Sequence, residues 1–314
     1  MKRQRCINLY TRDSFPRGIM RQHILDTPVS YYAIFILARI LPLKACRWIG
    51  RSVAFIVYLF STRDRKGFAT NLSIALNQPA NNFHIRRLVR RMFMNYGEYM
   101  ADYFCLPQLP RQKARAVFSH LKREEIIRKA LKKGRGVILL SAHIGNWEFG
   151  SIMIRHSRYP LAVVSLPHNT APTNALVNRF REDKGISVIE VDASPFSALP
   201  ILKHLRKNGV VAMMGDKDFF GNGKTIPYFG KQVRFPIGPV IIAMSSGAAL
   251  IPAFVLKQPD GKYFGVLEDA IPLSNQRPRE QAIQKNLEKI AAIFETYIQR
   301  YPDQWYNPDP IIKS

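Results

Sequence analysis

The stretch Gly136-Val137-Ile138-Leu139-Leu140-Ser141-Ala142-His143-Ile144-Gly145-Asn146-Trp147-Glu148 decides how the chain is read. A short apolar run with a glycine in front of it predicts a buried strand. It ends in small residues and a histidine, and a glycine and an acid then open the next segment. Five further apolar runs lie downstream, at Leu161–Leu166, Ile186–Val191, Gly209–Met214, Leu250–Leu256 and Tyr263–Leu267. Helix-length amphipathic stretches fall between several of them, near Thr173–Asp183, Pro195–Lys207 and Pro236–Gly247, and a last helix is predicted over Arg279–Arg300. Strands alternating with helices predict an α/β fold with a central, mostly parallel sheet flanked by helices. Such sheets bind ligands beyond the carboxyl ends of their strands, which is where His143 falls.

Upstream of this stretch the chain is helical and basic. Residues 84–105 and 113–133 read as helices, the second with Ile126, Ile127, Ala130 and Leu131 on one face. The first 70 residues hold 13 Lys and Arg against three acids, Asp13, Asp26 and Asp64. Two apolar runs, Tyr31–Ala38 and Ser52–Phe60, are separated by Arg39, Pro42, Lys44, Arg47 and Arg51. Neither reaches the roughly 20 residues of a spanning helix, and neither has the placement of a signal peptide. Apolar runs with basic flanks predict helices lying in a membrane interface, or a single tilted span broken at Pro42. The chain therefore divides into a membrane-associating section, 1–60, and a second unit, 61–314.

With 314 residues, 47% of them hydrophobic, the chain can bury a sizeable core. Its 47 Lys and Arg against 22 Asp and Glu give a net charge of +25, which attracts polyanions: nucleic acid, anionic headgroups or an acidic protein carrier. No nucleic-acid motif accompanies the charge, so a non-enzymatic nucleic-acid-binding protein is the remote alternative. Cys6, Cys46 and Cys105 are few and far apart, which suggests neither a disulfide framework nor a metal site.

His143 and Glu148 carry the chemistry in this reading. A histidine on a turn and an acid in the first helical turn can meet if the chain folds back at Gly145. The imidazole then takes a proton from an attacking hydroxyl while the carboxylate fixes its tautomer. A substrate hydroxyl can attack directly, so no protein nucleophile is needed. The nucleophile elbow, the HExxH motif and a phosphate-binding loop are all absent from the sequence. Backbone N–H groups over Gly145–Trp147 are candidate oxyanion donors, and Asn146 is a candidate to position the donor or the oxyanion. Arg179 and Arg181 are candidates to bind an anionic group, either acceptor phosphate or carrier phosphopantetheine; two apart on a helix, they cannot both face inward, and Arg181 is taken as the inward one. Asp216 and Asp218 follow an apolar strand, and two carboxylates at a strand end can bind a metal or set the charge of a substrate pocket. His168 and Asn169 form a turn.

These residues, in this order, resemble a known family. Ser141-Ala142-His143-Ile144-Gly145-Asn146-Trp147-Glu148 is similar to the H(x)4E block of the bacterial lipid A biosynthesis acyltransferases, within the wider H(x)4D/E lysophospholipid and glycerolipid acyltransferase superfamily. Asn174 to Gly185, with Arg179 and Arg181, resembles the family's two-arginine block. Gly215-Asp216-Lys217-Asp218 and Ile226-Pro227-Tyr228-Phe229-Gly230 resemble its next pair of blocks, Ile251-Pro252-Ala253-Phe254 its Val-Pro strand, and Pro302-Asp303-Gln304-Trp305 its terminal block. The resemblance runs from about residue 31 to 307.

It implies a glycerolipid acyltransferase-like fold without metal or cofactor. It also implies transfer of a fatty acyl chain from acyl carrier protein or acyl-coenzyme A to a hydroxyl of a lipid A precursor or related glycolipid, at the cytoplasmic face of the inner membrane, with the protein peripheral or single-span. A lysophospholipid or a phosphatidylinositol mannoside is the alternative acceptor. Two departures stand out. Lys217 occupies a position where the family usually has Gln or His, and the family's closing Trp-Leu-His-Arg-Arg-Phe is replaced by Trp305-Tyr306-Asn307-Pro308-Asp309. The second bears on the acceptor rather than on the acyl-transfer chemistry.

Overall fold

The computed structural model describes residues 28–108, 112, 116–156, 159–167 and 170–312. Cys6, His23, His168, Asn169 and the first part of the 1–60 section lie outside them.

A seven-stranded sheet organises the molecule, in the order β1-β9-β8-β2-β5-β3-β4. These strands are β1 (Phe118–Lys122), β2 (Val137–Ser141), β3 (Leu161–Ser165), β4 (Ser187–Glu190), β5 (Val210–Met214), β8 (Ala249–Lys257) and β9 (Tyr263–Leu267). From β8 to β4 every neighbouring pair is parallel. β9 runs antiparallel to β8, and β1 runs parallel to β9. The sheet is therefore mostly parallel, as the strand–helix alternation predicts. Central β2 is buried along its whole length, and that is why its sequence is an unbroken apolar run instead of an alternation.

Helices cover the sheet: α1 (Pro28–Ile40), α2 (Leu43–Phe60), α3 (Thr62–Leu76), α4 (Phe83–Cys105), α5 (Glu125–Leu131), α6 (Trp147–His156), α7 (Ala171–Glu182), α8 (Leu199–Arg206), α9 (Gly238–Ser246) and α10 (Arg279–Arg300). The largest buried cluster gathers Ile138, Leu140, Val211, Phe254, Leu287 and Phe294 with Leu72, Ile85 and Met92 of α3 and α4. A second, including Leu139, Phe149, Leu161, Val163 and Phe118, draws on α6 and the β1 edge.

One sequence expectation gives way here, and one element appears that the sequence pattern did not announce. Residues 113–133 do not form one helix: among the described residues Ala116 and Val117 are helical, β1 then occupies Phe118–Lys122, Arg123 turns the chain with φ 68°, and helix resumes over Glu125–Leu131. Pairing with β9 overrides the local pattern, as tertiary context does for weak propensities. A hairpin of β6 (Lys224–Tyr228) and β7 (Lys231–Phe235) also forms, although its apolar pattern is faint. Its two-residue turn has positive φ at both Phe229 and Gly230, and Pro227 is tolerated because the ribbon has only two strands.

α1 and α2 are separate helices with Pro42 between them, and no helix among the described residues is long and apolar enough to cross a membrane. One face of α2 belongs to the fold. Gly50 lies against Gly97 of α4 so closely that a Cβ on either would meet the other's carbonyl oxygen within 2.3 Å. Arg47 makes a two-point ion pair with buried Asp102 of α4 (2.7 and 3.0 Å), and the Tyr263 hydroxyl donates to the same carboxylate at 2.7 Å. Arg51 and Lys257 both engage Glu98. Cutting the chain after residue 60 would leave Asp102 buried without its cation, a loss of the order of 3–5 kcal/mol. Cys46 and Cys105 are buried free thiols.

Candidate active site

The site follows from strand register. In the β2–β5 pair Ser141 lies opposite Met214, so His143 and Asp216, each two residues further on, leave adjacent parallel strands at the same level. The Gly215 N–H donates to the Ser141 carbonyl (2.8 Å) and keeps the two chains together past the strand ends. The Asp216 carboxylate grips His143 twice. One oxygen lies 2.6 Å from ring Nδ1, and the other accepts the His143 backbone N–H at 3.0 Å. Burial pushes the Asp216 carboxyl upward, but the charge and hydrogen bond of His143, with Lys217 behind them, outweigh it and hold Asp216 below the usual carboxylate range. An ionised partner on Nδ1 fixes that nitrogen as the protonated one and leaves Nε2 as the acceptor. Trp147 and Phe219 stand edge-on to the ring, with centroids at 5.5 and 6.2 Å.

The carboxylate on His143 Nδ1 is therefore that of Asp216, where Glu148 was expected. Glu148 does sit in the first turn of α6, but its carboxylate is held by Arg181 of α7, with Oε1 2.5 Å from Nη2 and Oε2 3.4 Å from Nε. Arg181 also donates to Ser165 at the end of β3 (3.2 Å). Burial works against the Arg181 charge, and the facing Glu148 more than restores it, so its pKa is raised. Arg181 is the inward arginine and Arg179 is exposed. The pair ties the start of α6, and so the His143 turn, to α7. Removing one partner would leave a buried charge unmatched, at about 3–5 kcal/mol.

The turn itself is set by Gly145, whose φ is 68° and where a Cβ would lie 2.0 Å from the Val255 carbonyl oxygen. Two of the three backbone donors expected for an oxyanion are already engaged: Gly145 N–H donates to Gln304 and Asn146 N–H to Val255. Among the described residues no loop or turn carbonyl accepts from the Trp147 N–H, which opens α6. Asn146 is fully buried, and its side-chain oxygen accepts the Phe149 N–H at 2.9 Å, so it caps the helix where the sequence reading gave it a substrate. Asp218 likewise builds structure. Its carboxylate accepts from the Gly221 and Gly223 N–H groups and from Arg234, closing the loop after β5.

Beside His143 opens a cavity of about 820 Å³ with a mainly apolar lining. Leu139, Leu161, Val163 and Ile154 come from one core cluster, and Met213, Ile201, Ile242 and Phe254 from the other. Tyr96, Tyr99 and Trp147 also line it, and Glu148, Arg181, Lys217 and Asp218 contribute charge. The C-terminal segment passes along the same turn. Ile144 bridges to Trp305, and the Tyr306 N–H donates to the His143 carbonyl at 2.7 Å. Asn71 of α3 pins this segment by donating to the Asn307 and Asp309 carbonyls and accepting from the Ile311 N–H. Sequence reasoning missed the Asp216 role because which strands are neighbours is not written in the order of the strands. The signal present was an aspartate two residues past a buried apolar run, at the same offset as His143.

A histidine–carboxylate pair beyond the ends of parallel strands, with a large apolar cavity beside it, is an arrangement that can deprotonate a hydroxyl next to a bound hydrocarbon chain. The profile of the bacterial lipid A biosynthesis acyltransferase family matches residues 22–307, and the chain belongs to that family. Among its relatives are phosphatidylinositol mannoside acyltransferases. That of Mycobacterium tuberculosis (strain H37Rv) is 30% identical over 167 residues, covering 50% of this chain and 51% of the relative. That of Mycolicibacterium smegmatis is 25% identical over 229 residues, 71% of each chain. The chain thus matches about half the length of the M. tuberculosis relative.

Proposed function

We propose that this protein is a membrane-associated O-acyltransferase. It moves a fatty acyl chain from a thioester donor, acyl carrier protein or acyl-coenzyme A, to a hydroxyl of a glycolipid acceptor. The observation that carries this reading is the His143–Asp216 pair opening on an apolar cavity large enough for a hydrocarbon chain. His143 Nε2 takes the proton of the acceptor hydroxyl as its oxygen attacks the thioester carbonyl. Asp216 stabilises the imidazolium. When the C–S bond breaks, the imidazolium returns the proton to the leaving thiolate, giving an ester and a free thiol with no net proton change. The Trp147 N–H at the start of α6 is the backbone donor available to the oxyanion. Glu148 and Arg181 hold this geometry in place. The family and the mannoside-acylating relatives support a glycolipid acceptor, of lipid A precursor or phosphatidylinositol-mannoside type.

The test is mass spectrometry of lipid extracts incubated with the protein and acyl-carrier or acyl-coenzyme A donor. A glycolipid gaining one fatty acyl ester, with free thiol released in equal amount, is the expected result. Thiol release without any acylated lipid would reduce the activity to thioester hydrolysis.

The cytoplasmic face of the inner membrane is the proposed location, with α1 and α2 lying in the interface. Opposite the face that α2 packs on α4, Trp48 and Phe60 are 70% and 81% exposed, joined by Ile36, Ile40, Ile56 and Leu59. Arg39 and Lys44 of the same two helices are exposed as well, as are Arg63 of α3 and Arg86, Arg87 and Arg90 of α4. Exposed apolar side chains on basic helices suit an anionic bilayer. Substituting Trp48, Ile56 and Phe60 together by serine leaves Arg47 and Gly50 untouched, and is expected to weaken partitioning onto anionic vesicles by about tenfold or more. Raised salt should weaken the wild type further. Sedimentation with vesicles measures both, and equal partitioning of the two proteins would remove these helices from the membrane role.

A further inference from the structure

We infer that Lys217 binds a phosphate group of the acceptor at the mouth of the cavity, an inference that rests on the acyl-transfer reading above. Among the described residues two cations, Arg181 and Lys217, line the cavity. Arg181 is matched at two points by Glu148. Lys217 meets its acid across a long contact, 3.6 Å from Asp309, whose side chain is half exposed on the C-terminal segment. Its ammonium lies 6.0 Å from the Phe219 ring centre, and that ring lies 6.2 Å from the His143 ring. Together these distances bound the ammonium to within about 12 Å of the imidazole.

An ammonium on a flexible stem is a point charge with three donors, suited to phosphate rather than to a planar two-point partner. To take Lys217 from Asp309, an incoming group must offer more than one exposed carboxylate does. A phosphate has greater charge and more acceptor oxygens. The acceptor is the better source. Its hydroxyl must reach His143 while its headgroup remains at the mouth, whereas the pantetheine arm of a donor keeps its phosphate at the far end from the thioester.

The experiment compares two pairs of short-chain probes by titration calorimetry on the full chain: 1-octanoylglycerol 3-phosphate against 1-octanoylglycerol, and S-octyl 4′-phosphopantetheine against S-octyl pantetheine. Wild type is expected to bind the phosphorylated member of the glycerol pair about tenfold more tightly, the scale of one charge-assisted hydrogen bond. Lys217→Gln should abolish that preference, and Lys217→Arg should keep most of it. Loss of the preference in the pantetheine pair instead, or equal weakening of both glycerol probes, overturns the inference. So does a Lys217→Gln variant that keeps the glycerol-pair preference. Binding is read without turnover: a protein that shows the Lys217-dependent preference yet transfers no acyl group would overturn the proposed function and leave the phosphate site standing.

Discussion

Replacing His143 with alanine is expected to lower acyl transfer by about 10²- to 10⁴-fold while the protein stays folded. The side chain is only partly buried and its ring is hydrogen-bonded to Asp216, so its removal opens no large core cavity. The hydrogen bonds that shape the turn, from the His143 N–H to the Asp216 carboxylate and from the Tyr306 N–H to the His143 carbonyl, do not need the ring. What disappears is the only imidazole among the described residues of the cavity wall, and with it the means to deprotonate an alcohol near neutral pH. The loss should fall on kcat, because the cavity that holds the acyl chain is unchanged. Initial rates with an acyl-carrier or acyl-coenzyme A donor, beside a denaturant melt of the variant, decide the matter. A variant with near-normal turnover would remove His143 from the chemistry.

The architecture around this residue was legible because the sheet announces itself one strand at a time. β2, β5 and β8 lie inside the sheet between covering helices, so each is written as a mostly apolar run, with β2 and β5 bounded on both sides by glycine or small residues. α10 was legible to the residue, since a long amphipathic helix repeats its signal over many turns. β1 was not, because an edge strand with exposed Ser119 and His120 carries no such run. In the site, sequence proximity placed Glu148 beside His143, and it does lie on the next helix. The direction of its carboxylate is decided by Arg181, a residue 33 positions away whose inward face depends on how α7 packs. Asp216 lies 73 positions away and reaches His143 because β5 inserts between β2 and β3. Insertion of a later strand between two earlier ones is a matter of packing helices on both faces of the sheet, and no local pattern encodes it. Asn146 and Asp218 were legible as polar residues at strand and helix ends, where capping and loop closure compete with ligand binding for the same chemistry.

Asp216→Asn is expected to lower turnover by roughly 10³- to 10⁴-fold, the scale that loss of a tautomer-fixing carboxylate reaches in hydrolases. Asp216 accepts two hydrogen bonds from His143, one on each oxygen. Asparagine has one oxygen. If it serves the backbone N–H, the amide nitrogen faces Nδ1 and forces the ring proton onto Nε2, which can then no longer take a proton from the acceptor. If it serves the ring, the backbone N–H is left facing a donor and the turn is strained. In neither case is there a negative charge to stabilise the imidazolium. Glu148→Gln acts elsewhere. It leaves Arg181 buried against a neutral amide, so its first effect should be on stability, with a smaller effect on turnover through loosening of α6. Measuring kcat and denaturant midpoints for the two variants side by side separates the roles. Asp216→Asn should lose rate with little change in midpoint or KM, and Glu148→Gln should lose midpoint first. The reverse pattern, a stable Glu148→Gln without turnover and an active Asp216→Asn, would return the orienting role to Glu148 and sink the assignment of Asp216.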